Sequence, residues 1–146
     1  MSMSNASETA LLNLLFNNTD WANVGDAAGL QNSAAAGSFY VALHTADPTD
    51  AGNQTTSEAS YTGYARVAVA RTGGGWTVSG NQVSNAATVQ FGECTAGSAT
   101  VTHFSVGLLA SGAGDILYSG ALSASRAVSA GITPLFNPAT LVGTVD

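Results

Sequence analysis

The chain has no lysine and only three arginines, Arg66, Arg71 and Arg126. Proteins that bind nucleic acid neutralise phosphates with clustered Lys and Arg, so this composition argues against direct DNA or RNA binding. Attraction to an anionic membrane surface fails for the same reason. Charged residues of either sign make up 8% of the sequence, and the net charge is −6; an ordinary soluble domain carries about 25% charged residues. The single cysteine, Cys94, can form no internal disulfide and cannot by itself build a thiolate zinc cage. No apolar run approaches the roughly 20 residues needed to span a bilayer. The opening Met1–Glu8 has no basic stretch followed by an apolar one, so no secretory leader is expected. The expectation is a protein made and kept in a cytoplasm-like compartment until it is built into something.

What is present is apolar and small. Hydrophobic residues make up 45% of the 146 positions, unlike a disordered chain, which combines low hydrophobicity with high charge. The length suits one domain, 1–146, able to bury a core without metal or disulfide staples. Gly, Ala, Ser and Thr together exceed half of the sequence. A surface so poor in charge is prone to association, and charge depletion marks the centres of interfaces. Much of this surface is therefore expected to be covered in the working state by copies of the chain or by partners.

Residues 5–17 predict the one good helix, with Asn5 as its cap and Glu8 completing a capping box. Leu11, Leu12, Leu15 and Phe16 form an apolar stripe at helical period, widened by Leu14, and Asn17-Asn18 ends it. A helix this short needs a dock, on its own sheet or on a neighbour. Residues 1–37 thus read as a helix and arm, with Trp21 in a turn region and a short helical piece near Asp26–Gln31. From Ser38 to the end the chain reads as a β domain. Phe39, Val41 and Leu43 alternate with Tyr40, Ala42 and His44. Asp47-Pro48 interrupts, and a long polar loop covers 45–63, either an arm reaching a neighbour or a surface loop. Strands are predicted at Tyr64–Arg71, Trp76–Val78, from Val83, and at Ala87–Phe91, Ala99–Leu109, Asp115–Leu122, Ala127–Pro134 and Ala139–Val145. Gly73-Gly-Gly75, Gly80-Asn81 and Ser123-Ala-Ser125 are among the turns. Many short strands at regular spacing predict an all-β fold, a jelly-roll-like sandwich or barrel with one N-terminal helix.

Catalytic chemistry finds little support. Cys94 and His103 could pair as nucleophile and base, but no orienting third group stands near them in sequence, and a buried structural cysteine is the simpler reading. His44, Asp47 and Asp50 could hold a cation, yet their spacing fits no calcium loop. Gly73-Gly-Gly75 lacks the following Lys-Ser/Thr of a phosphate loop. Trp76, Tyr40, Tyr61, Tyr64 and Tyr118 read as packing aromatics before they read as a sugar-stacking face. The expectation is no enzyme, no cofactor and no metal. Leu11, Leu12, Leu15, Phe16, Trp21, Asp47, Tyr61 and Tyr64 are the candidate interface residues.

The runs Phe39-Tyr-Val-Ala-Leu-His-Thr-Ala-Asp-Pro48 and Glu58-Ala-Ser-Tyr-Thr-Gly-Tyr-Ala-Arg-Val-Ala-Val69 resemble a family of small phage virion proteins. Gly75-Trp-Thr-Val-Ser-Gly-Asn81, Val101-Thr-His-Phe-Ser-Val-Gly107 and Leu117-Tyr-Ser-Gly-Ala-Leu122 continue the resemblance, over roughly 5–142. Members are often labelled tail fibre proteins. The resemblance extends to capsid cement, or decoration, proteins of the Bordetella-type podovirus kind. It implies a jelly-roll-like structural protein on the outer surface of the head that bridges subunits of the major capsid protein, with a tail or tail-fibre component as the alternative. Pairing about a twofold axis is the commonest closed symmetry, so a homodimer is the expected self-assembly, with other oligomers open.

Overall fold

The computed structural model describes residues 2–145. The all-β class holds: among the described residues one helix, α1 (Asn5–Phe16), precedes nine strands. These are β1 (Ser38–His44), β2 (Val67–Ala70), β3 (Trp76–Ser79), β4 (Gln82–Asn85), β5 (Val89–Gln90), β6 (Ser98–Gly107), β7 (Ile116–Ser129), β8 (Leu135–Phe136) and β9 (Val142–Thr144). The sheets are open, and none of them closes into a barrel among the described residues. The chain divides into two compact units, Met1–Ser38 with Ala70–Thr88 and Phe136–Asp146, and Phe39–Val69 with Val89–Leu135.

The first unit is a helix on a three-stranded antiparallel sheet of order β3-β4-β9. Ser4, not Asn5, caps the helix: its backbone is extended and its hydroxyl accepts from the Ser7 N–H, while Asn5 is already helical. Leu12 and Phe16 are buried one turn apart, as the apolar period requires. Phe16 meets Trp76 edge-on, with ring centroids 4.9 Å apart, and Val83 and Leu141 join the buried set. Thr9 Oγ1 donates to the Gly80 carbonyl at 2.9 Å, tying the helix to the β3–β4 turn. No basic residue lies in the last helical turn. Arg71 supplies the cation from a distance, donating to the carbonyls of Leu14, Leu15 and Ala36. A guanidinium there both satisfies orphan carbonyls and opposes the negative helix end.

The helical piece expected near Asp26–Gln31 is absent. The Asp26 carboxylate accepts from the N–H groups of Ala28 and Gly29, a local turn that competes with helix, and Gly29 takes φ +67°. Trp21 and Leu30 bridge across this turn instead. Asn85, 1% exposed, organises the last strand. Its Oδ1 accepts from Thr140 N and Leu141 N, and its Nδ2 donates to the carbonyls of Ala87 and Asn137.

The second unit holds the antiparallel pairs β1–β6 and β6–β7 in a sheet of order β2-β1-β6-β7. Two strands predicted on either side of Ser123-Ala-Ser125 are one continuous strand, β7. Nothing in Leu122–Ser125 demands a reversal, since the segment has no Gly, Pro, Asn or Asp. It forms a bulge: Val101 pairs with Arg126 and His103 with Ala121, so four residues of β7 stand against Thr102 alone. The strand expected over Tyr64–Arg71 begins only at Val67, because Tyr64 and Arg66 are drawn into a polar cluster described below.

Leu12 has no solvent exposure, whereas Leu11 is half-buried. Leu12→Ala should therefore lower stability by about 2–5 kcal/mol, with Leu11→Ala costing clearly less. Urea unfolding followed by tryptophan fluorescence measures the difference, and equal losses would contradict this packing.

Candidate functional site

The stretch 45–63 is neither extended nor detached: it folds back on the sheet of its own unit. Thr45 N donates to Ser57 O, and Ala59 N donates to Leu43 O. His44 and Gln54 have no solvent exposure, and Ala59 and Tyr61 are nearly as buried. His44 Nδ1 lies 2.8 Å from the Thr56 carbonyl oxygen and Nε2 lies 2.8 Å from Ser105 Oγ. A carbonyl can only accept, so Nδ1 carries the proton and Nε2 accepts from the serine hydroxyl. Both ring nitrogens are used, which removes His44 as a cation ligand. No three His, Cys, Asp or Glu residues gather as a metal site among the described residues.

Gln54 acts as a second buried anchor. Its Nε2 donates to Tyr40 O at 3.4 Å, its Oε1 accepts from Leu109 N at 2.9 Å, and its own N–H donates to Gly114 O. Gly107 and Gly114 make room for it: a Cβ at either would stand 2.3 Å from a Gln54 side-chain atom. Around these anchors runs a charged cluster. Arg66 grips both oxygens of Glu58 at 2.7 Å and donates to the carbonyls of Leu109 and Gly112. Tyr64 OH donates to Glu58 Oε1 at 2.9 Å and accepts from Leu43 N. Burial pushes the Tyr64 hydroxyl well above its ordinary pKa, so it stays a donor. Its ring stacks on Phe91, with centroids 6.1 Å apart, and meets Tyr61 edge-on.

Above this framework lies an open polar cleft of about 350 Å³, lined by Asp47, Thr49, Asp50, His103, Ser119, Gly120 and Ala121. Asp47 Oδ1 accepts from Thr49 N at 2.9 Å, holding Thr49 at φ +61°. Asp50 has no hydrogen-bond partner among the described residues. His103 Nδ1 lies 2.9 Å from Thr102 Oγ1. Two carboxylates, an imidazole and two hydroxyls suit a cationic or strongly hydrogen-bonding group.

The other predicted residues are spread over both units. In the helix Leu12 and Phe16 are buried within their own unit, with Leu11 and Leu15 half-buried. Trp21 is half-buried, Asp47 is exposed in the cleft, Tyr61 is buried and Tyr64 is half-buried. Trp76 and Tyr61 are too buried to stack on a sugar from solvent. Cys94 is fully buried, its thiol directed at the carbonyls of Ala96 and Gly97. Gln54, Glu58 and Arg66 escaped sequence reasoning; an Arg eight residues after a Glu, following a long polar loop, was the only available signal.

The described residues thus define an all-β protein of open antiparallel sheets whose buried polar side chains hold its own loops. A protein-family model described as podophage GP4 fiber I protein gp80 matches residues 2–144. The chain belongs to that family and is a phage structural protein. No curated protein matches it.

Burial holds the His44 imidazole below its ordinary pKa of 6.5, partly offset by the Thr56 carbonyl and the Glu58 carboxylate. The unfolded ring takes up a proton as pH falls through 6.5, whereas the folded ring resists. Its contribution is thus complete above that pH and is lost as pH falls toward the folded value. The unfolding midpoint should fall between pH 7.5 and pH 5. His44→Gln should lower the midpoint at pH 7.5 and flatten the slope; an unchanged slope would assign it to other groups. Separately, Arg66→Met leaves Glu58 without its cation, held only by the Tyr64 hydroxyl, and should cost about 3–5 kcal/mol, with Glu58→Gln added to it recovering part of the loss in thermal unfolding.

Proposed function

We propose that this chain is a fibre-type structural subunit of the phage particle that acts by packing, without catalysis, cofactor or resident metal. The observation that carries this reading is the family match over residues 2–144. The scarcity of charge supports it, since a surface with few ions is cheap to desolvate against other subunits. Its partners are other virion proteins and copies of itself. Nucleic acid and lipid are not partners, on the composition argued above.

A second reading is favoured by the resemblance to decoration proteins and by the apolar side chains left at the surface. Leu108, Leu109, Ile132 and Leu135 in one unit, and Leu30 and Val142 in the other, are each at least 41% exposed. Here the chain is a capsid cement protein on the outside of the head, a homodimer bridging subunits of the major capsid protein. Multivalent contacts of this kind give firm attachment even when each is weak.

Imaging purified particles with an antibody to this chain tests both. Label confined to the tail or fibres supports the first reading. Label over the whole head supports the second, and omission of the protein should then lower the rupture temperature of filled heads. Absence of the chain from washed particles would overturn both.

A further inference from the structure

We propose that two copies of this chain pair antiparallel through their β7 edges about a twofold axis, each inserting Arg126 into the other's Asp47–Asp50 cleft. The inference rests on the reading that the chain assembles with copies of itself, and it names the seam.

Three independent features meet on β7. It is the outer strand of its sheet, and its fourteen residues include no Pro, no Lys and one charge. Long edges with few charges invite pairing, and proteins that must avoid it place Lys or Pro there; between and beyond its two irregularities, at Leu117 and at Leu122–Ser125, β7 keeps regular runs at 118–121 and 126–129. The one charge is Arg126. The other two arginines are engaged, Arg66 by Glu58 and Arg71 by helix carbonyls. The guanidinium of Arg126, by contrast, has no hydrogen-bond or ion-pair partner among the described residues, and the residue is exposed. Finally, the same strand supplies Ser119, Gly120 and Ala121 to the cleft that carries Asp47 and Asp50.

Register joins these features. Counted along the β6 register, Ala121 and Arg126 are only two positions apart, so an antiparallel twofold at Ala121 sets Arg126 opposite the partner's Ser119, Ala127 opposite the partner's Tyr118 and Val128 opposite the partner's Ile116. Directly opposed residues share a face, and diagonal neighbours lie about 7–8 Å apart, within reach of a long side chain. Ser119 and Ala121 line the cleft, so Arg126 arrives on the cleft side. Twofold symmetry makes the contact twice. The axis falls at Ala121, beside the bulge Leu122–Ser125, whose residues carry no charge. Ladders then form on the flanks, 116–119 of one copy, with Leu117 left out of register, against 126–128 of the other. Asp50, with no partner of its own, gains a guanidinium, and Asp47 keeps one oxygen for it beside the bond from Thr49.

Sedimentation of the purified full chain tests this. Wild-type protein should dimerise at concentrations below about 1 mM. Arg126→Asp and Asp50→Arg should each weaken the dimer about tenfold or more, with unchanged circular dichroism, because both side chains are exposed. Mixing the two variants should restore dimerisation, since in the mixed pair both contacts again join opposite charges. Ala121→Cys should cross-link across the axis under mild oxidation, and Ser111→Cys should not. Dimers unaffected by either charge reversal, or no recovery on mixing, would overturn the seam while leaving self-assembly intact. A wild-type chain that stays monomeric throughout would overturn both.

Discussion

Gln54 and His44 set the constraint on which the second unit depends. A polar stretch as long as 45–63 can be packed only if its backbone groups find partners away from water. These two fully buried side chains do that work from opposite ends. His44, at the end of β1, joins Thr56 to Ser105 on β6. Gln54, within the stretch, joins Tyr40 on β1 to Leu109 after β6. Each buried polar atom is satisfied by the segment it orders, so the cost of burying the amide and the imidazole is recovered only when the loop is in place. That coupling makes the loop part of the fold. It also fixes Asp47 and Asp50 beside the sheet, which is what turns an edge of β7 into the wall of a cleft.

The first unit solves a similar problem with Asn85 and Arg71. Asn85 uses both its acceptor and its donors to hold the irregular segment that leads into β9. Arg71 binds the helix end from a separate stretch of chain. Neither unit relies on long ladders alone; short strands are joined by side chains that imitate backbone partners.

This explains which parts of the fold were legible in the sequence. The period of apolar residues marked α1, β1 and β6 within one or two positions, and Gly80-Asn81 marked the β3–β4 turn, because these features are local. Leu12 and Phe16 stand out by the same period. The cap at Ser4 was missed by one residue, since Ser4 and Asn5 are equally able to cap and only the backbone decides. The break at Ser123-Ala-Ser125 was expected because small polar residues are common in turns. Its true form, a bulge, depends on Thr102 and on pairing across the sheet. The polar cluster was illegible for a related reason: Glu58, Tyr64 and Arg66 acquire meaning only once the loop has folded back to Leu43 and Leu109. The cleft joins residues more than fifty positions apart, and no spacing rule connects them.

The scarcity of charge takes on a sharper meaning once each ion is located. In a chain with many lysines, an unpaired cation at a sheet edge would be unremarkable, a solvated group that keeps edges apart. Here two arginines are used to hold the chain together, and a third is left on the longest strand. A single charge on a fourteen-residue edge is a poor deterrent to pairing, because one repulsion at a symmetric contact can be avoided by a shift in register. It is a good selector of register if the matching position carries the opposite sign. Ser119, which a twofold at Ala121 sets opposite Arg126, lies beside two carboxylates. A shift by two residues would still keep Arg126 near the cleft but would shorten the ladder, and a shift by one would turn the side chain to the opposite face. The same residue therefore discriminates among registers that the small, uniform side chains of β7 would otherwise leave nearly equal in energy.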